Sequence, residues 1–208
     1  MRNPVKERPC LATRHDFDFL PCVPEIEVGP ARYSELAVLA DMAHRLVPGV
    51  KITEPILRKY FAFDPECILT FRRGETLLGA IAFLFLNSRG HDALILDEIS
   101  LTQPDMGLLA GRDDEVSANY IWAIAATGRG IAGLGKAAAH LRTPRYVDAN
   151  CFAQPSTAAG RDLLIATGFR SIPSFQPDLW CYERPWNRVS PNKPPSIVPA
   201  RSFADARH

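Results

Sequence analysis

The residues with the most evident chemistry run from Thr127 to Lys136 and read Thr-Gly-Arg-Gly-Ile-Ala-Gly-Leu-Gly-Lys. An apolar stretch, Tyr120 to Ala126, leads into them, and a helix-favouring stretch from Leu134 to about Leu141 leads away. Glycine lets a backbone approach a ligand closely. A helix N-terminus presents unpaired N–H groups and the positive end of the helix dipole. The combination predicts a phosphate-bearing ligand without selecting the compound.

Several patterns compete for these residues. Gly130 to Lys136 spells GxxxxGK, but Ala137 stands where a nucleoside triphosphatase needs Ser or Thr to hold magnesium. Gly128 to Gly133 spells GxGxxG, and Asp148 follows about twenty residues later, where a dinucleotide-binding unit meets a ribose hydroxyl. That unit sits late in the chain, with one strand after Asp148's own, too few for a doubly wound sheet. A strand-to-helix turn with no ligand is the plainest alternative.

The elements around the loop narrow the choice. Apolar residues recur at helical spacing from Tyr33 to Val47, and Pro48-Gly49 stops them. Thr53-Glu54-Pro55 opens a second helix through Ile56, Leu57, Tyr60 and Phe61. Cys67 to Phe71 and Leu77 to Leu86 read as strands joined by the tight reversal Arg72-Arg73-Gly74-Glu75. Residues 87–115 read as irregular. Tyr120 to Ala126, Tyr146 to Phe152 and Leu179 to Glu183 are the remaining strands. Ser156 to Thr167 is a helix ended by Gly168. The order predicts a mixed α/β (α+β) domain.

The third pattern belongs to acyl-CoA. Gly130-Ile131-Ala132-Gly133-Leu134-Gly135 resembles the GNAT acyltransferase motif (Q/R)xxGx(G/A), with glycine in the first position. Tyr120 to Ala125 looks like that superfamily's fourth strand. Two helices and a hairpin with Leu78-Gly79-Ala80 lie upstream, and Arg161 to Phe169 looks like its helix ending in a Gly-Phe pair. The resemblance spans Glu25 to Trp186 in the expected order. It implies a mostly antiparallel central sheet flanked by helices and splayed at the acyl-CoA site.

The resemblance also implies roles. Amides of Ile131, Gly133, Leu134, Gly135 and Lys136, in a loop that includes Gly130 and Ala132, would bind the pyrophosphate of acetyl-CoA or another acyl-CoA. The Arg129 and Lys136 side chains would add charge there. Ile124, Ala125 and Ala126 would face the pantetheine, and Asn150 would hydrogen-bond it or the substrate. The implied reaction is direct attack by an amine, on a small molecule or a protein, upon the thioester. The sequence departs from the family where the base and acid usually stand. Asn119 occupies the glutamate position, Leu164 the tyrosine position, and Thr157 the position of a common asparagine. Glu115, with Asp114 beside it, and Glu98, with Asp97, are the substitutes to examine, acting through water or directly. Tyr120 and Trp122 are expected to line the acceptor pocket. Cys151 and His140 read as structural.

Composition supplies the limits. A formal charge of +1 over 208 residues gives no basic field for nucleic acid. The five cysteines are scattered without a CxxC pair, which argues against structural zinc and suits a reducing cytoplasm. The longest apolar run, Leu77 to Leu86, is too short to span a bilayer. Proline-rich ends set off an N-terminal extension, 1–24, from the domain, 25–186, and a disordered tail, 187–208. Homodimers are common in the family, so a dimer is one expectation.

Overall fold

The longest apolar run of the sequence forms the middle of a sheet. In the computed structural model, which describes residues 23–185, β3 (Thr76–Leu86) is buried continuously from Gly79 to its end. The expectations for the tail, and for all but the last residues of the N-terminal extension, lie outside the described residues. Strand β3 turns back on β2 (Ile68–Arg73) through Gly74, whose φ of 53° suits glycine. An edge strand, β1 (Glu27–Pro30), pairs with β2. On the other side β3 pairs antiparallel with β4 (Ala118–Ala126). Next come β5 (Asn150–Ala153), β7 (Trp180–Tyr182) and β6 (Arg170–Ser171), giving the order β1-β2-β3-β4-β5-β7-β6.

Of these neighbours only β4 and β5 run parallel. The sheet is therefore mixed and mostly antiparallel, as expected. A doubly wound dinucleotide-binding domain needs a parallel sheet, so the reading built on Asp148 falls.

Helices cover both faces. On one lie α1 (Leu36–Leu46) and α2 (Glu54–Phe63), with Leu39, Met42, Ala43 and Leu57 over Ala80, Ala82 and Ala125. On the other lie α4 (Leu134–His140) and α5 (Ala158–Ala166), over Ile81, Ile121 and Ile124. At the start of α5, Thr157 Oγ1 accepts the Gly160 N–H at 2.9 Å. At its end Gly168, with φ 84°, reverses the chain, and Phe169 N–H returns to Leu164 O at 2.9 Å.

Two expectations need correction. The segment read as irregular contains α3 (Ser88–Ile95), capped by Asn87 Oδ1 accepting from Gly90 N–H at 2.9 Å. Gly90 interrupts the helical pattern because a Cβ there would lie 2.1 Å from Leu108 O. Strand β5 begins at Asn150 rather than Tyr146. Pro144 lacks an N–H for a ladder, and residues 143–149 wind into turns, with Tyr146 and Val147 N–H groups both on Thr143 O at 3.0 Å.

Candidate functional site

The cleft arises from one irregularity in β4. Ala82 pairs with Ala123 and Phe83 with Ile121, so Trp122 is an extra residue, a β-bulge. The bulge shifts the alternation and brings Ile121 and Ile124 to the same face. The ladder to β5 stops at the same point, with Ile121 opposite Ala153. Beyond it β4 runs on to Ala126 paired only with β3, its other edge unpaired.

The unpaired edge of β4 has a definite polarity. Thr127 N–H donates to Leu78 O at 2.8 Å, so antiparallel alternation turns the Ala125 N–H and C=O toward β3. The same alternation points the N–H and C=O of Ile124 and Ala126 into the gap. A cavity of about 460 Å³ fills that gap. Its β4 wall includes Ile121, Trp122, Ile124 and Ala126, and its far wall includes Ala153, Thr157, Gly160, Leu163 and Leu164. Leu46 and Val47, at the end of α1, border it, and Ile131 reaches it from the glycine segment. Gln154, Ser156 and Thr157 carry the cavity's side-chain amide and hydroxyls. Among the described residues lining it, none has an acidic, basic, thiol or phenol side chain.

The glycine segment is wound differently from an open phosphate loop. Gly128–Gly133 forms a 3₁₀ helix that passes directly into α4. Gly130 N–H donates to Thr127 O at 3.0 Å, and Leu134 N–H donates to Ile131 O. Its glycines answer mainly to packing. A Cβ on Gly130 would lie 2.7 Å from Leu78 O, and one on Gly133 would lie 2.6 Å from the Phe71 ring. Gly128, with φ 53°, makes the turn out of β4.

The expected site residues divide accordingly. Ile124, Ala126, Ile131 and Trp122 line the cavity. Gly130, Gly133 and Leu134 are buried, Gly135 and Ala132 are half-buried, and Arg129 is exposed. Four placements correct the cofactor expectations. Ala125 turns its backbone to β3. Leu134 has its N–H engaged within the turn. Lys136 extends its ammonium away from the loop to Ile26 O, at 2.5 Å, and Pro24 O, tying α4 to the chain before β1. Asn150, opposite Ala118 at the closed end of the ladder, accepts the Arg184 N–H at 2.9 Å.

The catalytic expectations are corrected too. Asn119 is fully buried at the closed end of β4, and its amide donates to Tyr146 O at 3.2 Å and Ala149 O at 3.1 Å. It holds the turn before β5. Glu115 is exposed just before β4, and Glu98 borders a separate small pocket with Tyr60 and Leu84. Neither lines the cleft. Tyr120 pairs with Leu84 and Phe152, and the bulge separates it from Trp122. Burial, then the Asp97 carboxylate, pushes its phenol up to about 12.

A second polar cluster lies at the closed end. Arg145 bonds buried Asp64 at 2.8 Å, and the Tyr146 hydroxyl donates to Glu66, which also meets His140 at 3.3 Å. Burial first, and then the bond to Glu66, raises the Tyr146 phenol's pKa. Nearby Arg184, also fully buried, donates to Leu141 O at 2.9 Å and Ala149 O at 3.0 Å. Arg145 and Tyr146 tie the 141–149 turn to the segment just before β2, and Arg184 ties it to the chain after β7. Among the described residues no cluster fit to hold a metal ion is present, and no helix is long and apolar enough to cross a membrane.

Sequence reasoning missed the cavity's far wall, Gln154 to Leu163, because its residues are small or apolar and carry no reactive group. The positions of Thr157 and Leu164 were the available signal, and both line the cleft.

No family model matches the sequence, and no curated protein matches it. Solved structures do. The chain is similar to the loading GNATL domain of CurA from Lyngbya majuscula, at 10% identity over 76% of this chain and 97% of that one, with a TM-score of 0.50. It is also similar to a GNAT family acetyltransferase from Listeria monocytogenes 4b F2365, at 13% identity over 76% and 92% of the two chains, with a TM-score of 0.49. A GNAT family acetyltransferase from Brucella melitensis, solved with acetyl-CoA, matches at 16% identity over 76% and 87%, with a TM-score of 0.44. The first carries the comparison, and the likeness is one of fold.

Proposed function

We propose that this chain, whose fold is that of the GNAT superfamily, binds an acyl-CoA in the gap between β4 and β5 and transfers the acyl group to an amine of a small molecule or a protein. The observation that carries the reading is the end of the parallel ladder at Ile121–Ala153 beside a cavity of about 460 Å³. An extended amide-bearing arm entering that gap replaces the missing strand. The inward N–H and C=O of Ile124 and Ala126 supply its ladder partners, and the apolar walls exclude water. The pyrophosphate then sits at the mouth, against the turn of exposed Ile131 and half-buried Ala132, with Arg129 close by.

The residues account for binding and orientation more fully than for proton transfer. An amide from β4 in the gap polarises the thioester carbonyl. The cleft's described side chains supply no base for the attacking amine and no acid for the departing thiolate, since Leu164 cannot donate a proton. Rate enhancement would come from holding the amine and the thioester together, which can lower a barrier substantially on its own. The same observation favours a second reading, an acyl-CoA-binding protein of this fold without turnover.

Calorimetric titration of the full chain with acetyl-CoA, NAD and ATP, followed by a thiol-release assay over an amine panel, tests both. Heat of binding with acetyl-CoA alone, and thiol released with an amine, supports the transferase. Binding without thiol release supports the second reading. Saturable binding of NAD or ATP but not acetyl-CoA refutes both.

A further inference from the structure

A second hollow lies beside the floor of the cleft. About 50 Å³ in volume, it lies between α4, α5 and the sheet and shares Ile121, Ile124, Leu163 and Leu164 with the main cavity. Beyond those side chains it is bounded by Ala137 and Ala138 of α4 and by Phe169. Its hydroxyl-bearing residue, Thr167, donates to Leu163 O at 2.8 Å and presents hydrocarbon to the space. Close-packed interiors leave few voids of this size, and a dry apolar void takes up apolar ligands.

The topology says what reaches it. A thioester arm lying along Ile124 and Ala126 cannot continue straight past Ile121, because there the β4–β5 ladder closes. At that point the cleft has two ways out. One passes Leu46 and Val47 at the end of α1, where Leu46 is 41% exposed and open to an incoming acceptor. The other leads under α5, past Leu163 and Leu164, toward the apolar hollow. An acceptor amine would lose water in the hollow without gaining a polar partner, so the exit past Leu46 suits the acceptor and the hollow suits the acyl group.

Resting on the acyl-CoA reading above, we propose that the hollow is an acyl-chain subsite and that the preferred thioester carries a short aliphatic chain longer than acetyl. Leu164 then serves as hydrocarbon wall where a proton donor would spoil the pocket. The alanines of α4 set the chain length that fits.

Calorimetry of the full-length protein with acetyl-, butyryl- and octanoyl-CoA tests this. Burial of two further methylenes makes butyryl-CoA bind roughly tenfold tighter than acetyl-CoA, and octanoyl-CoA gains nothing more. Ala138→Leu fills the hollow and removes the butyryl advantage while leaving acetyl-CoA affinity in place. Phe169→Leu widens it and moves the preference toward hexanoyl-CoA, which provides a test should the first variant fail to fold. Equal affinity for acetyl- and butyryl-CoA, or an advantage that survives Ala138→Leu, overturns the subsite and leaves the acyl-CoA reading standing. Absence of binding by every thioester overturns both.

Discussion

At the scale of single residues, position relative to the gap beside β4 separates groups that hold the fold from those the proposed function uses. Asn119 and Ile131 make the contrast. Asn119 looks reactive in sequence but spends its amide on two buried carbonyls. Asn119→Ala should lower stability by about 1–3 kcal/mol, the cost of losing two buried hydrogen bonds, and leave the acyl-CoA Kd of the folded protein unchanged. Urea denaturation and titration of the same sample measure both. Ile131 is 42% exposed at the cleft mouth. Ile131→Glu should leave the melting temperature unchanged and weaken acyl-CoA binding roughly tenfold, by setting a like charge near the pyrophosphate. Weakened binding in the Asn119 variant and none in the Ile131 variant would reverse the assignment.

At the scale of elements, the glycine segment is a packing device as well as a mouth. Gly133→Ala pushes a methyl into the Phe71 ring, 2.6 Å from the ideal Cβ position, and should cost about 1–3 kcal/mol. Phe71→Leu should recover part of that loss in the double variant, as measured by thermal denaturation. Additive losses would show that the two residues do not meet.

The glycines also explain how much the sequence disclosed. The run from Leu77 to Leu86, the helix after Thr53 and the Gly168 stop were legible because each rests on local apolar patterning or turn chemistry. Strand β1, the two-residue β6 and helix α3 were not. Strand β1 is short and held by pairing with β2, β6 by pairing with β7, and α3 is masked by a glycine required by a distant carbonyl. The cleft depends on a bulge at Trp122, and no single residue in β4 announces that register shift.

At the scale of the molecule, the sheet's two ends have different tasks. The closed end is tied by buried charged and polar groups, and the cavity at the open end is lined mostly by apolar side chains with Gln154, Ser156 and Thr157 among them. The edge before α1 shows the same use of charge in stability. Glu35 pairs with Arg72 across to β2 and accepts the Arg32 N–H at 2.8 Å. Burial alone would raise its pKa, but the Arg72 and Arg32 bonds outweigh burial and hold it below the ordinary 4.5. A lowered carboxyl stabilises the fold above its ordinary pKa, and that contribution fades as the pH falls through the lowered value. Glu35→Gln should therefore cost about 1–3 kcal/mol at pH 7, and the difference from the parent should shrink below about pH 4. Urea midpoints at neutral and acid pH give the comparison, and an undiminished difference in acid would contradict it.

The proposed acyl-CoA binding depends on the gap past Ile121, and a crystal structure of the full chain with butyryl-CoA tests it most directly. The predicted result is a pantetheine arm lying between β4 and the segment after β5, hydrogen-bonded to Ile124 and Ala126, with the acyl chain turned under α5. A thioester bound elsewhere, or a gap closed by direct pairing of β4 with the segment after Ala153, would contradict it.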